Sequence, residues 1–275
     1  MRIGFNTAGL VAALVATLAA AAPLHGVVPD MAREDRWAEQ VAPDVVVGDV
    51  VWLSTKLRAK VLAIYTKPSG TAKAAVIVVH GLGVNPDWDL INVVRTSLAD
   101  HGFATLSVQM PVLAAEAPPA DYVALYPEAG ARLSAALAWL HGRGYAKVAV
   151  VSHSLGAAMT DAWLAHGAAA AGAGAQASAR EGAGIDAWVP VGMAVAFSVR
   201  PRIPVLDVVA GADLPAVLAS NPARVSQLPA DGCSRAVTVP GVDHFYHGAE
   251  AKLVDVIVPF LDAVSDGHCG TAGGR

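Results

Sequence analysis

Short apolar runs alternate with amphipathic segments along most of the chain. The run "AKAAVIVVHGLG" is uninterrupted and ends in glycines, which is typical of a strand covered on both faces. The next segment, "WDLINVVRTSLADHGF", has apolar residues at helical spacing, and the strand-like run "ATLSVQMPV" follows it. Later strand-like runs are "AKVAVVSHS", "IDAWVPVGMA", "IPVLDVVAGAD" and "RAVTVPGVDH". This alternation predicts an α/β protein whose mostly parallel sheet has helices on both faces.

The segments outside this alternation set the limits of the domain. Two β-rich runs, "DVVVGDVVWLST" and "AKVLAIYTKP", precede it, and the short polar break between them predicts an antiparallel hairpin. The preceding segment "PDMAREDRWAEQVAPD" is mixed and polar, and we expect it to be irregular. Because the link "VAFSVRPR" is short, no large cap domain is expected over the sheet. We therefore predict a single domain over residues 23–275.

Residues 1–22 form a separate unit with the pattern of a secretory signal peptide. Arg2 supplies a positive start, and an apolar stretch ends in small residues suited to cleavage, Ala19, Ala20 and Ala21. An uncleaved membrane anchor is the alternative, although the apolar run is short for a bilayer span. Export with cleavage predicts a periplasmic or secreted protein with no stable insertion in the membrane.

The composition narrows the class of protein and its partners. The chain has 275 residues, of which 55% are hydrophobic and 15% charged, so it can bury a large core. Its formal net charge is −4 and it contains no cluster of lysine and arginine, which argues against nucleic acid as a partner.

The chain has two cysteines, Cys233 and Cys269. Because an exported compartment permits disulfides, we favour a bridge that would hold the C-terminal tail. Two unrelated thiols are the alternative, and neither cysteine has a pattern typical of catalysis.

The stretch "AVVSHSLGAAMTDAW" predicts a strand, a sharp turn and a helix around Ser154. A serine with small residues two positions to either side is typical of a nucleophile elbow, G-x-S-x-G, although Ser152 replaces the first glycine here. The helix that follows would point unpaired amides at the serine hydroxyl. The alternative is that Ser154 only caps the helix, since serine is a favoured N-cap residue. Ser152 is the rival nucleophile, but it lies earlier, within the strand.

The motif "HGLG", His80 to Gly83, directly follows a predicted buried strand. Acyl transfer needs N–H donors where negative charge develops on the carbonyl oxygen. We predict that the backbone amides of Leu82 and Leu155 supply them. The alternative is an ordinary turn with His80 packed beneath it.

Two further strand ends carry an acid and a base. Asp213 ends the run "IPVLDVVAGAD" and could orient an imidazole, and Asp207, within the same strand, is the runner-up. His244 follows the last strand and is the predicted general base, with His247 as the lesser option.

The histidines of this region also allow other interpretations. The H-x-x-H spacing of His244 and His247 lacks a third ligand, so no metal is predicted. His153, beside the elbow serine, is expected to be structural.

The order Ser, Asp, His, each after a separate strand, is similar to that of the α/β-hydrolase superfamily, and the motifs "HGLG", "SHSLG", "AGAD" and "GVDH" carry the resemblance. More narrowly, "VVHGLGVNPDW", "TLSVQMPVL" and "VVSHSLGA" resemble a family of exported bacterial proteins of unknown function. The resemblance implies an eight-stranded sheet with the second strand antiparallel. It also implies a triad of Ser154, His244 and Asp213, but no substrate.

These expectations predict an exported serine hydrolase, a carboxylesterase that cleaves small or medium acyl esters without a cofactor. The segment Val112–Gly130, with Tyr122 and Tyr126, is the expected wall of the substrate pocket, together with His80. A dienelactone-type hydrolase would have a cysteine in the elbow, which is absent here. The alternative from another class is a non-catalytic binding or scaffold protein that keeps the hydrolase-like fold. The sequence predicts no oligomeric state.

Overall fold

The computed structural model describes residues 27–170 and 184–269 of the chain. The predicted signal peptide, residues 1–22, lies outside these ranges. Within them, no helix is both long and apolar enough to span a bilayer.

Eight strands of the described residues form one sheet in the order β1-β2-β4-β3-β5-β6-β7-β8. They are β1 (Asp49–Leu53), β2 (Val61–Thr66), β3 (Ala75–Val79), β4 (Ala104–Val108), β5 (Val148–His153), β6 (Ala187–Val191), β7 (Leu206–Ala212) and β8 (Arg235–Asp243). Strand β2 runs antiparallel to both β1 and β4, and the other pairs are parallel. The predicted hairpin and the predicted sheet are therefore confirmed.

Strand β3 is apolar at every position and is covered on both faces. Ala75, Ile77 and Val79 of β3 belong to one core cluster, whereas Val76 and Val78 belong to the other. Side chains alternate between the faces of a strand, so a strand buried on both faces has no polar alternation.

Six helices occur in the described residues: α1 (Met31–Asp44), α2 (Asp89–Asp100), α3 (Tyr126–His141), α4 (Leu155–Ala170), α5 (Pro215–Gln227) and α6 (Glu250–Ser265). Helices α3 and α4 contribute to the first core cluster, and α2 and α6 contribute to the second. A 3₁₀ helix, Pro119–Leu125, precedes α3. No helix or strand interrupts residues 192–205 between β6 and β7, as the short link predicts.

The expectation of an irregular segment before β1 is wrong, because residues 31–44 form α1. The Asp30 carboxylate accepts a hydrogen bond from the Arg33 amide at 2.9 Å and caps the helix. Glu34 is buried and accepts a hydrogen bond from Nη1 of Arg132 in α3 at 2.9 Å. A buried ion pair therefore holds this polar helix on the protein, in place of a broad apolar stripe.

Cys233 and Cys269 form a disulfide across a sequence separation of 36 residues. The bond joins the segment before β8 to the residues after α6. Since the chain has no other cysteine, a reductant acts on this bond alone.

Replacing both cysteines by serine is expected to lower the free energy of unfolding by about 3–4 kcal/mol, because the unfolded chain gains loop entropy. Urea unfolding of the two proteins measures the difference, and wild type with reductant should match the double variant. Equal midpoints with and without reductant would contradict the prediction.

Candidate active site

Ser154 lies between β5 and α4 with a φ of 55°, in the left-handed region that side-chain-bearing residues seldom adopt. Its amide donates to the Val191 carbonyl at 2.8 Å, which fixes the turn against β6. Strain of this kind costs about 1–3 kcal/mol and persists only where the surroundings enforce it. The turn holds the Ser154 side chain at the carboxyl end of the sheet, half-buried.

The residues two positions to either side explain why this elbow tolerates Ser152 but needs Gly156. A Cβ on Gly156 would lie 2.3 Å from the His80 carbonyl oxygen, so no side chain fits there. The Ser152 hydroxyl instead accepts a hydrogen bond from Trp188 Nε1 at 2.8 Å and is fully buried. The departure from G-x-S-x-G is therefore accommodated by a polar partner in β6.

The structure brings together Ser154, His244 and Asp213. His244 Nε2 lies 2.9 Å from Ser154 Oγ, and His244 Nδ1 lies 2.6 Å from Asp213 Oδ1. Because an ionised carboxylate only accepts, Nδ1 carries the proton and Nε2 is left free to accept from the serine hydroxyl. The sequence separations of 90 and 31 residues show that the fold assembles this chain of hydrogen bonds.

Asp213 is held in its ionised form. Burial alone would raise the pKa of its carboxyl, but hydrogen bonds from His244 and from the Ala210 and Leu214 amides outweigh burial and lower the pKa below its ordinary value. The carboxylate is therefore fixed in orientation and suited to stabilise a positive charge on the imidazole.

Two neighbours that the sequence analysis did not assign to the site hold the His244 ring and main chain. Gly192 has a φ of 61°, and a Cβ there would lie 2.8 Å from His244 Cε1. Below the ring, His153 Nε2 donates to the His244 carbonyl at 2.9 Å, with the ring centroids 4.8 Å apart. Burial lowers the pKa of His153 to about 4, and the nearby His244 adds to this effect, so the His153 ring stays neutral at pH 7.

The loop after β3 lies against the nucleophile. A Cβ on Gly81 would come within 3.1 Å of Ser154 Cβ, so the backbone of the "HGLG" motif passes close to the serine. Leu82 follows directly, and Leu155 is the first residue of α4. Neither the Leu82 nor the Leu155 amide donates a hydrogen bond to the rest of the described chain. Both are thus available to an acceptor at the site.

Helix α1 supports this loop from outside. Arg33 donates from Nη1 to the Leu113 carbonyl at 2.7 Å and from Nη2 to the Gly83 carbonyl at 3.3 Å. Gly83 has a φ of 67°, so its peptide is held in a conformation that favours glycine. Arg33 could not be assigned to the site from its sequence context, because its partners are backbone atoms 50 and 80 residues away.

The runner-up acid and base have other partners. Both oxygens of Asp207 accept from Arg224 Nε, at 2.9 and 3.0 Å, in a fully buried ion pair. His247 is exposed and its Nδ1 lies 2.8 Å from Asp243 Oδ2. Residues 27–170 and 184–269 contain no group of three or more His, Cys, Asp or Glu side chains arranged to hold a metal.

His80 does not lie on a pocket wall, which corrects the expectation for this residue. It is buried, its Nδ1 donates to the Gly81 carbonyl at 2.9 Å, and its Nε2 accepts from the Met110 amide at 2.8 Å. Burial lowers its pKa to about 4, so the ring is neutral. His80 ties the end of β3 to the end of β4 and supports the loop above it.

The tyrosines of the predicted wall are placed differently from each other. Tyr122 is buried and its hydroxyl accepts from the Leu113 amide at 3.1 Å, so it stabilises the segment from within instead of facing substrate. This corrects the expectation for Tyr122. Tyr126 is half-buried, and burial, together with nearby Asp161, raises its pKa.

Several solved structures have a similar architecture. A putative α/β hydrolase from Agrobacterium tumefaciens matches with a TM-score of 0.60 and 16% identity, covering 82% of this chain and 100% of that one. The chain has the α/β-hydrolase fold. A dienelactone hydrolase from Anabaena variabilis matches with a TM-score of 0.57 and 22% identity over 78% of this chain and 96% of that one. An esterase domain from Rhodothermus marinus matches with a TM-score of 0.55 and 15% identity, with 78% and 97% covered.

The sequence comparisons match only part of this chain. The family model described as "Protein of unknown function (DUF3530)" matches residues 48–131, from the start of the first hairpin into α3. No curated protein matches the sequence. The matched region contains the "HGLG" loop, whereas Ser154, Asp213 and His244 lie beyond it.

Proposed function

We propose that the protein is a serine hydrolase, most specifically a carboxylesterase that cleaves small or medium acyl esters. The observation that carries the proposal is the hydrogen-bonded chain from Ser154 Oγ through His244 to Asp213, with the serine on a strained strand-to-helix turn. A serine that serves only as a helix cap needs neither a buried imidazole on its hydroxyl nor a carboxylate behind that imidazole.

The proposed reaction proceeds through an acyl-enzyme. Ser154 Oγ bonds to the ester carbonyl carbon while His244 Nε2 takes the hydroxyl proton. When the ester C–O bond breaks, the same proton passes to the leaving alcohol oxygen. Water then bonds to the acyl carbon while His244 Nε2 takes one of its protons. The bond from the acyl carbon to Ser154 Oγ breaks, His244 returns the proton to Oγ, and the acid is released. Asp213 stabilises the imidazolium at both stages.

The oxyanion is assigned to the amides of Leu82 and Leu155, which have no partner elsewhere in the described chain. Loss of one such donor typically lowers turnover on the order of 10²–10³-fold. Three side chains and two amides thus carry every proton transfer and charge in the scheme, so it requires no cofactor.

Ester cleavage and export have separate support. Two of the similar structures are a dienelactone hydrolase and an esterase domain, which favours an ester substrate, and nothing in the site favours an amide. The disulfide between Cys233 and Cys269 fits an oxidising compartment. Together with the signal-peptide pattern of residues 1–22, it supports a periplasmic or secreted enzyme.

A fluorophosphonate probe tests the proposal, because it reacts with activated serine hydroxyls. We expect wild type to be labelled and Ser154→Ala to lose all labelling. Ser152→Ala is the matched control, since it removes a hydroxyl two residues away. It should keep the label while losing about 1–2 kcal/mol of stability, because Trp188 Nε1 is left unpaired.

Two outcomes would overturn the assignment. Folded wild-type protein that stays unlabelled would favour the non-catalytic scaffold. Labelling that survives Ser154→Ala and disappears in Ser152→Ala would move the nucleophile to the other serine.

A further inference from the structure

We propose that Trp88 and Phe245 form a leaving-group subsite that selects esters of aromatic alcohols. The inference rests on the proposed esterase function and adds the substrate class to it. The aromatic residues predicted for the site lie on the segment Val112–Gly130, whereas Phe245 packs on His244 and Trp88 packs on Phe245.

Phe245 packs directly on the proposed base. Its ring centroid lies 5.0 Å from that of His244 in an edge-to-face arrangement and 6.1 Å from that of His153. Trp88 completes the pair, with ring centroids 5.8 Å apart at an interplanar angle of 76°. Although it is an apolar aromatic residue, Phe245 is 39% exposed, and Trp88 is only half-buried. An aromatic surface is therefore open to solvent next to the imidazole.

The exposed position of Phe245 is accompanied by backbone strain at the next residue. The Asp243 carboxylate accepts from the Phe245 amide at 3.0 Å and fixes the turn. The next residue, Tyr246, has a φ of 57° and a fully buried side chain. With this backbone conformation Tyr246 lies in the core and Phe245 remains partly exposed at the surface.

The turn that carries Trp88 is fixed in the same manner. The Asp87 amide donates to Asn85 Oδ1 at 2.9 Å, and Asp87 Oδ1 accepts from Nε of the buried Arg95 at 2.8 Å. Trp88 then begins the approach to α2. Both aromatic residues thus lie on turns held by hydrogen bonds to a carboxylate, Asp87 or Asp243.

We infer from its position that this aromatic surface contacts the alcohol part of the ester. In acylation His244 Nε2 gives its proton to the leaving oxygen, so that oxygen lies within hydrogen-bond reach of Nε2. The group attached to that oxygen therefore starts next to the imidazole. Phe245 packs on the ring and is partly exposed, whereas His153, which also packs on it, is buried.

Benzyl acetate and cyclohexylmethyl acetate test the subsite. They share an acyl group and have alcohols of similar size, but only one is aromatic. Each ratio of kcat/KM is divided by the ratio of the two esters' alkaline hydrolysis rates, which removes their difference in leaving ability. We expect wild-type kcat/KM to be about fivefold higher for the benzyl ester, as edge-to-face contacts allow. In Phe245→Ala and Phe245→Leu the ratio should fall to about one, and in Trp88→Ala it should fall at least partly.

The controls separate the two proposals. Trp52→Ala removes an exposed aromatic side chain on the edge strand β1 and should keep the wild-type ratio. A labelled, active enzyme with a ratio near one, or a ratio that all three variants preserve, would overturn the subsite alone. Wild type that neither reacts with the fluorophosphonate probe nor cleaves either ester would overturn the esterase proposal and the subsite with it.

Discussion

Replacing His244 by alanine is expected to lower kcat/KM for p-nitrophenyl acetate on the order of 10⁴-fold. The serine hydroxyl is a weak nucleophile at neutral pH and needs a base within hydrogen-bond reach, which His244 Nε2 provides at 2.9 Å. Asp213 cannot replace it, because its carboxylate lies on the far side of the ring. Steady-state kinetics, with circular dichroism to show that the variant folds, measure the loss.

His247→Ala is the matched control for this experiment. His247 lies three residues further along the chain, is exposed, and pairs with Asp243. Its loss should change kcat/KM by less than about twofold. A large loss for His247→Ala together with an active His244→Ala would show that the base has been assigned to the wrong histidine.

The sheet could be predicted because its signal is local. A strand buried on both faces must be apolar throughout, and β3, with all five residues buried, carries that requirement in its own sequence. The hairpin of β1 and β2 could also be predicted, since a short polar break separates two β-rich runs.

Helices α1 and α5 escaped prediction because their stability comes from distant partners. Helix α1 depends on Glu34, whose burial is compensated by Arg132, 98 residues later. Helix α5 contains Pro215 in its first turn and Pro222 within it, which obscures a helical pattern, and its buried Arg224 pairs with Asp207 of β7. Neither ion pair can be recognised from the pattern of apolar residues within the helix.

The candidate site likewise contains residues that could be predicted from local sequence and residues that could not. Serine, acid and base could be proposed from the sequence, because each directly follows a predicted strand and parallel strands end at one edge of a sheet. The residues that support the triad could not be predicted, because their role depends on contacts with residues far away in the sequence. A side chain is excluded at Gly192 because His244 lies against it, and the buried hydroxyl of Ser152 has Trp188 Nε1 as its hydrogen-bond donor.

Gly156→Ala is expected to lower the free energy of unfolding by about 2 kcal/mol and kcat by about 10²-fold. Alanine favours a helix over glycine by about 1 kcal/mol, so in open space the substitution at the start of α4 would stabilise the protein. The new Cβ would instead lie 2.3 Å from the His80 carbonyl oxygen and 2.9 Å from Val79 Cγ1. The first of these is a backbone atom, so α4 and the end of β3 must separate.

That separation moves both sources of oxyanion donors, because Leu82 follows His80 and Leu155 precedes Gly156. A displacement of about 1 Å between them accounts for the expected loss in turnover. Gly70→Ala is the control, since no atom lies within 4 Å of its added Cβ, and it should change neither quantity measurably. Urea unfolding and p-nitrophenyl acetate kinetics measure the two effects. A Gly156→Ala protein that is more stable and fully active would mean that the elbow does not press against the "HGLG" loop.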